Sequence, residues 1–324
     1  MQQRILITGG AGCIGSELAA ALVARNHQVV VLDNFSSGRR EHLEGLIGHP
    51  QFELLEGDLL DAAAVDAAVA GVDTVYHLAA NTEVKFTEGD RTDKDLRQNT
   101  LATHQLLEAM RRHGVKRLAF SSTSAVYGIC KVLPIREDQP PRPISLYGAS
   151  KLACEALIGA FQNLFQMQCW IFRFSNIVGP KVRTRGRTVI SDFIHQFLAD
   201  PRRLKILGNG KQSKSYLLNE ECVAAMLHAV DHAAEPFNLF NIGCDDSINV
   251  DQIAQLIAAE MGLSDVEYSY TGTEGGWPGD VPRFILDVSA LNRLGWRAKC
   301  NSEEAVSQAI RAAVSHLSTL SPVS

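Results

Sequence analysis

At 324 residues, with 46% hydrophobic and 21% charged side chains, the chain has the make-up of an ordinary globular protein and length enough for roughly two lobes around a full core. A formal net charge of −5 offers no sequence-wide basic field to nucleic acid, and no apolar run nears the ~20 residues that a membrane helix needs. Seven cysteines are scattered without a C-x-x-C pair or zinc-type histidine spacing, so they read as reduced thiols in a cytoplasmic setting, with no metal site.

The opening "MQQRILITGG" starts directly on a strand pattern, which leaves no room for an export leader. "ILITGGAGCIG" then joins that strand to a helix. Gly10, Gly12 and Gly15 satisfy G-x-G-x-x-G, while Gly9, Gly12 and Gly15 satisfy G-x-x-G-x-x-G. Glycines at these places permit a tight turn, let the backbone approach a pyrophosphate, and leave the N–H donors of the helix start open to it. The next strand, "QVVVLDN", ends on Asp33, 33 − 15 = 18 residues past the last glycine, close to the ~20 expected of a carboxylate that binds an adenosine ribose. A negative group there repels a 2′-phosphate, so the pattern predicts NAD rather than NADP; Arg39 and Arg40 pull the other way.

"QFELLEGD", "TVYHLAA", "KRLAFSST" and "QCWIFRFSN" continue the strands, with helical patterns such as residues 95–113 between them. Apolar strands linked by helices predict an α/β fold: a Rossmann-type doubly wound parallel sheet. After Asn176 the texture changes to "VGPKVRTRGR", a Gly-, Pro- and Arg-containing loop that leaves the sheet. "NEECVAAMLHAV" and "FNLFNIG" resume the alternation. The predicted division is therefore a cofactor domain over 1–178, joined by about 217–242, and a smaller C-terminal α/β substrate-binding domain from 179–216 and 243–324. The last residues, "STLSPVS", are expected to fray.

Two Tyr-x-x-x-Lys pairs compete for chemistry, Tyr127 with Lys131 and Tyr147 with Lys151. "YGICKVLP" has no amphipathic repeat and soon reaches Pro134, so it reads as a loop in which residues four apart need not face one another. In "YGASKLACEALIGAF", Leu152, Leu157, Ile158 and Phe161 recur at helical spacing, which puts Tyr147 and Lys151 on one side with Cβ atoms ~5–6 Å apart. Bringing a phenol of pKa ~10 near 7 takes about 4 kcal/mol. One ammonium ~4 Å away supplies about that much at an effective dielectric near 20, and an oxidised nicotinamide adds more positive potential, so the pairing is expected to be electrostatically adequate.

With these motifs in place, the chain resembles the extended short-chain dehydrogenase/reductase superfamily and, within it, NAD-dependent nucleotide-sugar epimerases of the UDP-glucose 4-epimerase type. The likeness runs through "TGGAGCIG", "DNFSSGRREHL", "EGDLLD", "VYHLAA", "SSTSAVYG", "YGASK", "FRFSNIVGP", "LGNGKQSKSY" and "GDVPRFILD", most of the chain. It implies Tyr147 as acid/base, Lys151 as its electrostatic and ribose-binding partner, and Thr123 as the triad hydroxyl, with Ser122 and Ser124 as flanking substitutes. It further implies NAD contacts at Gly9, Gly12, Cys13, Ile14 and Gly15, at Asp33, Asn34, Ser36 and Gly38, and at Asp58 (adenine) with Leu59. Leu78, Ala79, Ala80 and Ser121 follow, and Asn99 lies near the nicotinamide or the active-site backbone.

On the substrate side the resemblance implies Thr123, Ser124, Asn176, Arg183, Lys214, Trp277, Arg283 and Phe284. Relatives usually carry Arg at the positions of Lys214 and Trp277, to hold the substrate diphosphate; here Arg283 or the "KVRTRGR" loop is expected to assist Lys214. An aromatic at Phe284 favours a plain hexose, whereas Arg183 matches a carboxylate-binding position of uronate-specific relatives. The implied reaction interconverts UDP-glucose and UDP-galactose through a transient 4-keto sugar, with UDP-glucuronate or UDP-N-acetylglucosamine as alternative substrates and a homodimer as the assembly. Ser124 and Ala125 replace the Asp and Glu that 4,6-dehydratases use, which speaks against dehydration; a reductase or an NAD-sensing regulator is the remoter reading.

Overall fold

The computed structural model describes residues 1–83, 89–180, 188–277 and 279–320. The apolar runs form parallel strands β1 (Arg4–Thr8), β2 (Gln28–Asp33), β3 (Phe52–Glu56), β4 (Thr74–His77), β5 (Arg117–Thr123) and β6 (Gln168–Phe174). The chain then makes the short strands β7 (Asn176–Val178), β8 (Arg203–Ile206), β9 (Ser213–Lys214) and β10 (Tyr216–Leu218) before β11 (Phe237–Ile242) rejoins the sheet. Its seven strands run in the order β11-β6-β5-β4-β1-β2-β3, all parallel. Order reverses between β1 and β4, and that switch point is where a doubly wound sheet binds its ligand, beyond the carboxyl ends of the strands.

Helices α1 (Cys13–Ala24), α2 (Ala62–Val69), α3 (Ala102–His113) and α4 (Leu146–Phe165) follow β1, β3, β4 and β5. Beyond β7 come α5 (Val189–Ala199) and then α6 (Asn219–His232), which leads into β11. Strand side chains alternate between faces. Ile5, Ile7, Val29 and Val31 therefore pack with Leu18 and Leu22 of α1 and Met226 of α6. Leu6, Val30 and Leu32 pack on the other face with Val65 of α2, Leu106 and Met110 of α3 and Ile158 of α4. Both faces being covered explains why the strands read as continuous apolar runs. A separate apolar cluster joins Phe193 and Phe197 of α5, Ile206 of β8, Ile257 of α7 (Val250–Glu260) and Ile310 of α9 (Ser302–Leu320).

The helix expected over 95–113 opens as a π-helical turn at Leu96–Leu101 before α3. Such widened turns concentrate at functional sites, and this one carries the buried Asn99. The two- to four-residue strands outside the main sheet, among them β8 and its partner β13 (Glu267–Tyr270), were not legible as apolar runs; they pair over too few residues to build a pattern.

Candidate active site

The glycine loop lies at the end of β1. A Cβ on Gly15 would stand 2.3 Å from the Gly9 carbonyl oxygen, and one on Gly9, whose φ is +70°, 2.7 Å from the Ala79 backbone, so neither position admits a side chain. Gly12 caps α1 with no side-chain hydrogen bond, so the start of the helix, with the Ile14 N–H, is presented at the switch point as an anion site requires. This cradle fits a dinucleotide pyrophosphate.

Asp33 ends β2 almost fully buried and orders the adjoining loops, accepting from the Ala11 N–H at 2.9 Å and the Phe35 N–H at 2.8 Å. Gly38 comes so close that a Cβ there would meet the Asp33 carboxylate at 2.9 Å. The Asn34 amide donates to Asp58 at 2.8 Å and accepts from the Ser36 N–H, so Asp58, Asn34 and Ser36 form one polar edge, with Leu59 buried beneath it. Arg40 is engaged away from the carboxylate, pairing with Glu56 and lying over the Phe35 ring. That arrangement keeps the charge balance near Asp33 suited to a free ribose rather than to a 2′-phosphate. Leu78, Ala79 and Ala80 continue β4 toward the cradle, partly buried, with the Leu78 N–H bonded to the Thr8 carbonyl.

Tyr147 and Lys151 stand one turn apart on α4, whose N-terminus is capped by the Ser145 hydroxyl accepting from the Gly148 N–H at 3.1 Å. A Cβ on Gly148 would meet the Ala125 carbonyl at 2.6 Å, so glycine is what lets α4 approach the turn after β5. That approach brings Thr123 near enough to the Tyr147 phenol to favour its ionisation, while Ser122 bonds Glu155 farther along α4 and Ser121 donates to the His77 carbonyl. Of the three candidate hydroxyls beside Thr123's position, only Thr123 reaches Tyr147. Ser124 follows in a tight turn.

Without NAD, the surroundings of Tyr147 oppose its ionisation. Burial pushes the phenol up to about 12; the Thr123 hydrogen bond lowers it, and Asp95 and Cys154 push it up. The buried Lys151 ammonium is directed to the Ser121 carbonyl at 2.7 Å and over the Phe120 ring, and desolvation drops its own pKa to about 8. Tyr147 is partly exposed as a residue although its phenol end is enclosed, and the enclosed end is what titrates. Lowering the phenol to neutrality therefore requires positive charge beyond this ammonium.

The competing pair separates: Tyr127 is buried with its hydroxyl donating to Asn241 at 2.7 Å, and Lys131 is exposed. Tyr127 belongs to a polar chain in which Arg173, over its ring at 4.7 Å, holds Glu155 with a buried two-pronged ion pair.

On the substrate side, Asn176 opens β7 and bonds Tyr216 of β10. Strand β14 (Arg283–Phe284) pairs with β9, setting Arg283 beside Ser213 and Phe284 beside Lys214. Arg283 is exposed, and Phe284 is packed among Val126, Tyr127 and Ile135. Lys214 already has a partner: its ammonium donates to the buried Asp280 at 2.6 Å and lies 5.3 Å from the Trp277 ring centroid. The Trp277 Nε1–H is buried without a partner among the described residues. Arg183 and the rest of "KVRTRGR" lie outside the described residues.

Three further residues of the site carried no sequence signal by which to single them out. His77 is buried at the end of β4, Asp95 accepts from the Asn81 amide at 2.7 Å, and the Ser150 hydroxyl lies 2.9 Å from the Asn99 amide. Only the "VYHLAA" strand end marked the neighbourhood of the first.

Fold and site together define an NAD-dependent enzyme built on a doubly wound sheet. The family model described as the NAD dependent epimerase/dehydratase family matches residues 5–243, and the chain belongs to that family. It is 31% identical over 310 residues to the UDP-glucose 4-epimerase of Mycolicibacterium smegmatis, covering 95% of this chain and 97% of that one. A solved UDP-galactose 4-epimerase is 38% identical with a TM-score of 0.85, covering 97% of this chain and 99% of that one. The UDP-glucuronic acid 4-epimerase from Bacillus cereus, solved with UDP-glucuronic acid and NAD, is 26% identical with a TM-score of 0.87 over the same shares. Among the described residues no helix is long and apolar enough to cross a membrane.

Proposed function

We propose that the protein is a nucleotide-sugar 4-epimerase interconverting UDP-glucose and UDP-galactose. The observation that carries this reading is the contact of Tyr147 with Thr123 at the mouth of the glycine cradle, one helical turn from the buried Lys151. When bound, NAD would be held by the glycine cradle and Asp33 and would supply reversible hydride acceptance at C4 of the sugar. Tyr147 removes the proton of the C4 hydroxyl as that hydride leaves, and the same phenol returns it when the 4-keto sugar is reduced on its other face. Thr123 orients the hydroxyl, Lys151 favours the phenolate, and the buried setting excludes water. Ser124 and Ala125 offer no carboxyl group for dehydration.

Epimerisation of UDP-glucuronate is the second reading, supported by the likeness to the Bacillus cereus enzyme and by Arg183 in the sequence. Phe284 favours the hexose over UDP-N-acetylglucosamine. Lys214, Arg283 and Asn176 are the groups assigned to the substrate diphosphate. The division into 1–178 with 217–242, and 179–216 with 243–324, is supported by β11 completing the main sheet and by the separate apolar cluster of α5, α7 and α9. A homodimer through residues 95–113 and 147–161 is supported by the exposed Leu96, Leu101, Leu146 and Leu164 on or beside those segments, and a cytoplasmic setting accompanies this reading.

The test is incubation with UDP-glucose, UDP-N-acetylglucosamine and UDP-glucuronate in turn, without added NAD, followed by proton NMR for the C4 epimer. Appearance of UDP-galactose alone is the expected result. Turnover of the uronate alone, lost in Arg183→Ala, would replace the hexose reading.

A further inference from the structure

The buried His77 joins the two sides of the site through hydrogen bonds whose direction can be counted. Its Nδ1 lies 2.7 Å from the Thr8 hydroxyl and its Nε2 2.9 Å from the Thr103 hydroxyl. Thr103 donates to the Asn99 carbonyl at 2.7 Å, with the Cys154 sulfur farther off at 3.3 Å, so its single hydrogen is not available to the ring and it accepts from Nε2–H. Thr8 accepts from the Ala79 N–H, and among the described residues its own hydrogen has only Nδ1 as an acceptor. Just one form of the ring satisfies every partner: neutral, protonated on Nε2. The other tautomer, and the imidazolium, would each leave the buried Thr8 hydrogen without an acceptor.

From His77 two branches reach the catalytic pair, one from the ring to the Tyr147 backbone and one from the His77 carbonyl to the Lys151 ammonium. Asn99 continues through its amide to the Ser150 hydroxyl, which donates to the Tyr147 carbonyl at 2.8 Å. On the other branch Ser121 donates to the His77 carbonyl, and the Ser121 carbonyl receives the Lys151 ammonium. Ala79, at the start of the chain, is the residue whose backbone closes the glycine cradle.

We propose that His77 is a positioning residue, locked as the neutral Nε2–H tautomer, that sets the register between the cofactor cradle at Ala79 and the Tyr147–Lys151 pair. Burial and the nearby Lys151 charge hold the ring neutral, pushing its pKa down to about 3. The proposal rests on the reading of Tyr147 and Lys151 as the proton-transfer pair.

Two measurements on the NAD-loaded protein test it. Nitrogen-15 NMR with labelled histidine, the His77 signals assigned by their loss in His77→Gln, is expected to give the neutral Nε2–H pattern unchanged between roughly pH 6 and 8.5. An Nδ1–H pattern, or a ring that titrates in that range, overturns the proposal. In the second, kcat per bound NAD is compared for His77→Phe, which keeps the volume and removes both ring nitrogens, and His77→Gln, which retains a donor and an acceptor. A displacement of this kind is expected to cost roughly tenfold or more in kcat for His77→Phe, with KM little changed and most of the loss recovered in His77→Gln. A His77→Phe protein that melts lower yet matches the parent per loaded site shows a role in stability alone and overturns the proposal. Should His77→Phe not fold, Thr103→Val breaks the chain at the next hydroxyl and is read by the same criteria. If the parent itself turns over no sugar, the failure lies with the assigned reaction, and the tautomer measurement still decides the state of His77.

Discussion

Loading with NAD should change the titration of Tyr147 more than any other property of the site. In the structure the phenol stands at about 12, pushed there by burial, with Asp95 and Cys154 opposing ionisation and only the Thr123 hydrogen bond favouring it. Working near pH 7 means closing about five pKa units, or about 7 kcal/mol. An ammonium ~4 Å away would supply about 4 kcal/mol at an effective dielectric near 20. Lys151 is instead directed at the Ser121 carbonyl, so even that share is not realised until the positive charge of a bound nicotinamide is added. The assay is near-ultraviolet phenolate absorbance against pH, parent minus Tyr147→Phe, for NAD-stripped and NAD-loaded protein. The subtraction is needed because Tyr127 and Tyr216 are also pushed up to about 12. Stripped protein is expected to give a flat difference between roughly pH 6 and 9, and loaded protein a step within it. A step near neutrality in the stripped protein would refute the reasoning, because Lys151 would then suffice alone.

Four other outcomes follow from named contacts. Tyr127→Phe removes the donor to Asn241 and is expected to cost about 1–3 kcal/mol in urea unfolding while leaving kcat within about twofold, whereas a large loss of turnover would return Tyr127 to the chemistry. Gly15→Ala forces a methyl against the Gly9 carbonyl and should abolish NAD retention through gel filtration; a variant that keeps its NAD would contradict the cradle. Asp280→Asn leaves the Lys214 ammonium without its carboxylate and should tighten UDP binding in calorimetry, while an unchanged Kd would remove Lys214 from diphosphate recognition. Finally, folded His77 stays unprotonated down to about pH 3, whereas in the unfolded chain it takes a proton near 6.5. The unfolded state thus binds more protons in that window, so stability rises with pH across it and is lost as pH falls from 6.5 toward 3. Between pH 7 and 5 the parent should lose about 2 kcal/mol more than His77→Gln in urea titrations, and equal losses would show that His77 is not buried neutral.

The sequence by itself determined the sheet, the cofactor cradle and the choice between two tyrosines. Each rests on local physics: seven apolar runs long enough to be strands buried on both faces, glycines at fixed offsets before a helix, and a helical repeat behind Tyr147 but none behind Tyr127. Contacts between segments distant in the chain were decided only by the tertiary structure. Ser122 also meets α4, through Glu155 two turns past Tyr147, so the choice of Thr123 depends on its place at the end of β5 beside the start of α4, where the small Gly148 sets how closely the two approach. Lys151 turned out to hold the Ser121 carbonyl, and Lys214 to hold Asp280, because an ammonium withdrawn wholly or partly from water takes the nearest strong acceptor, whatever its spacing to another residue suggests. His77 and Ser150 were silent in the sequence for the same reason: their partners lie on β1, on α3 and on the widened turn before it, and no periodicity records a hydrogen bond between elements that meet only after folding.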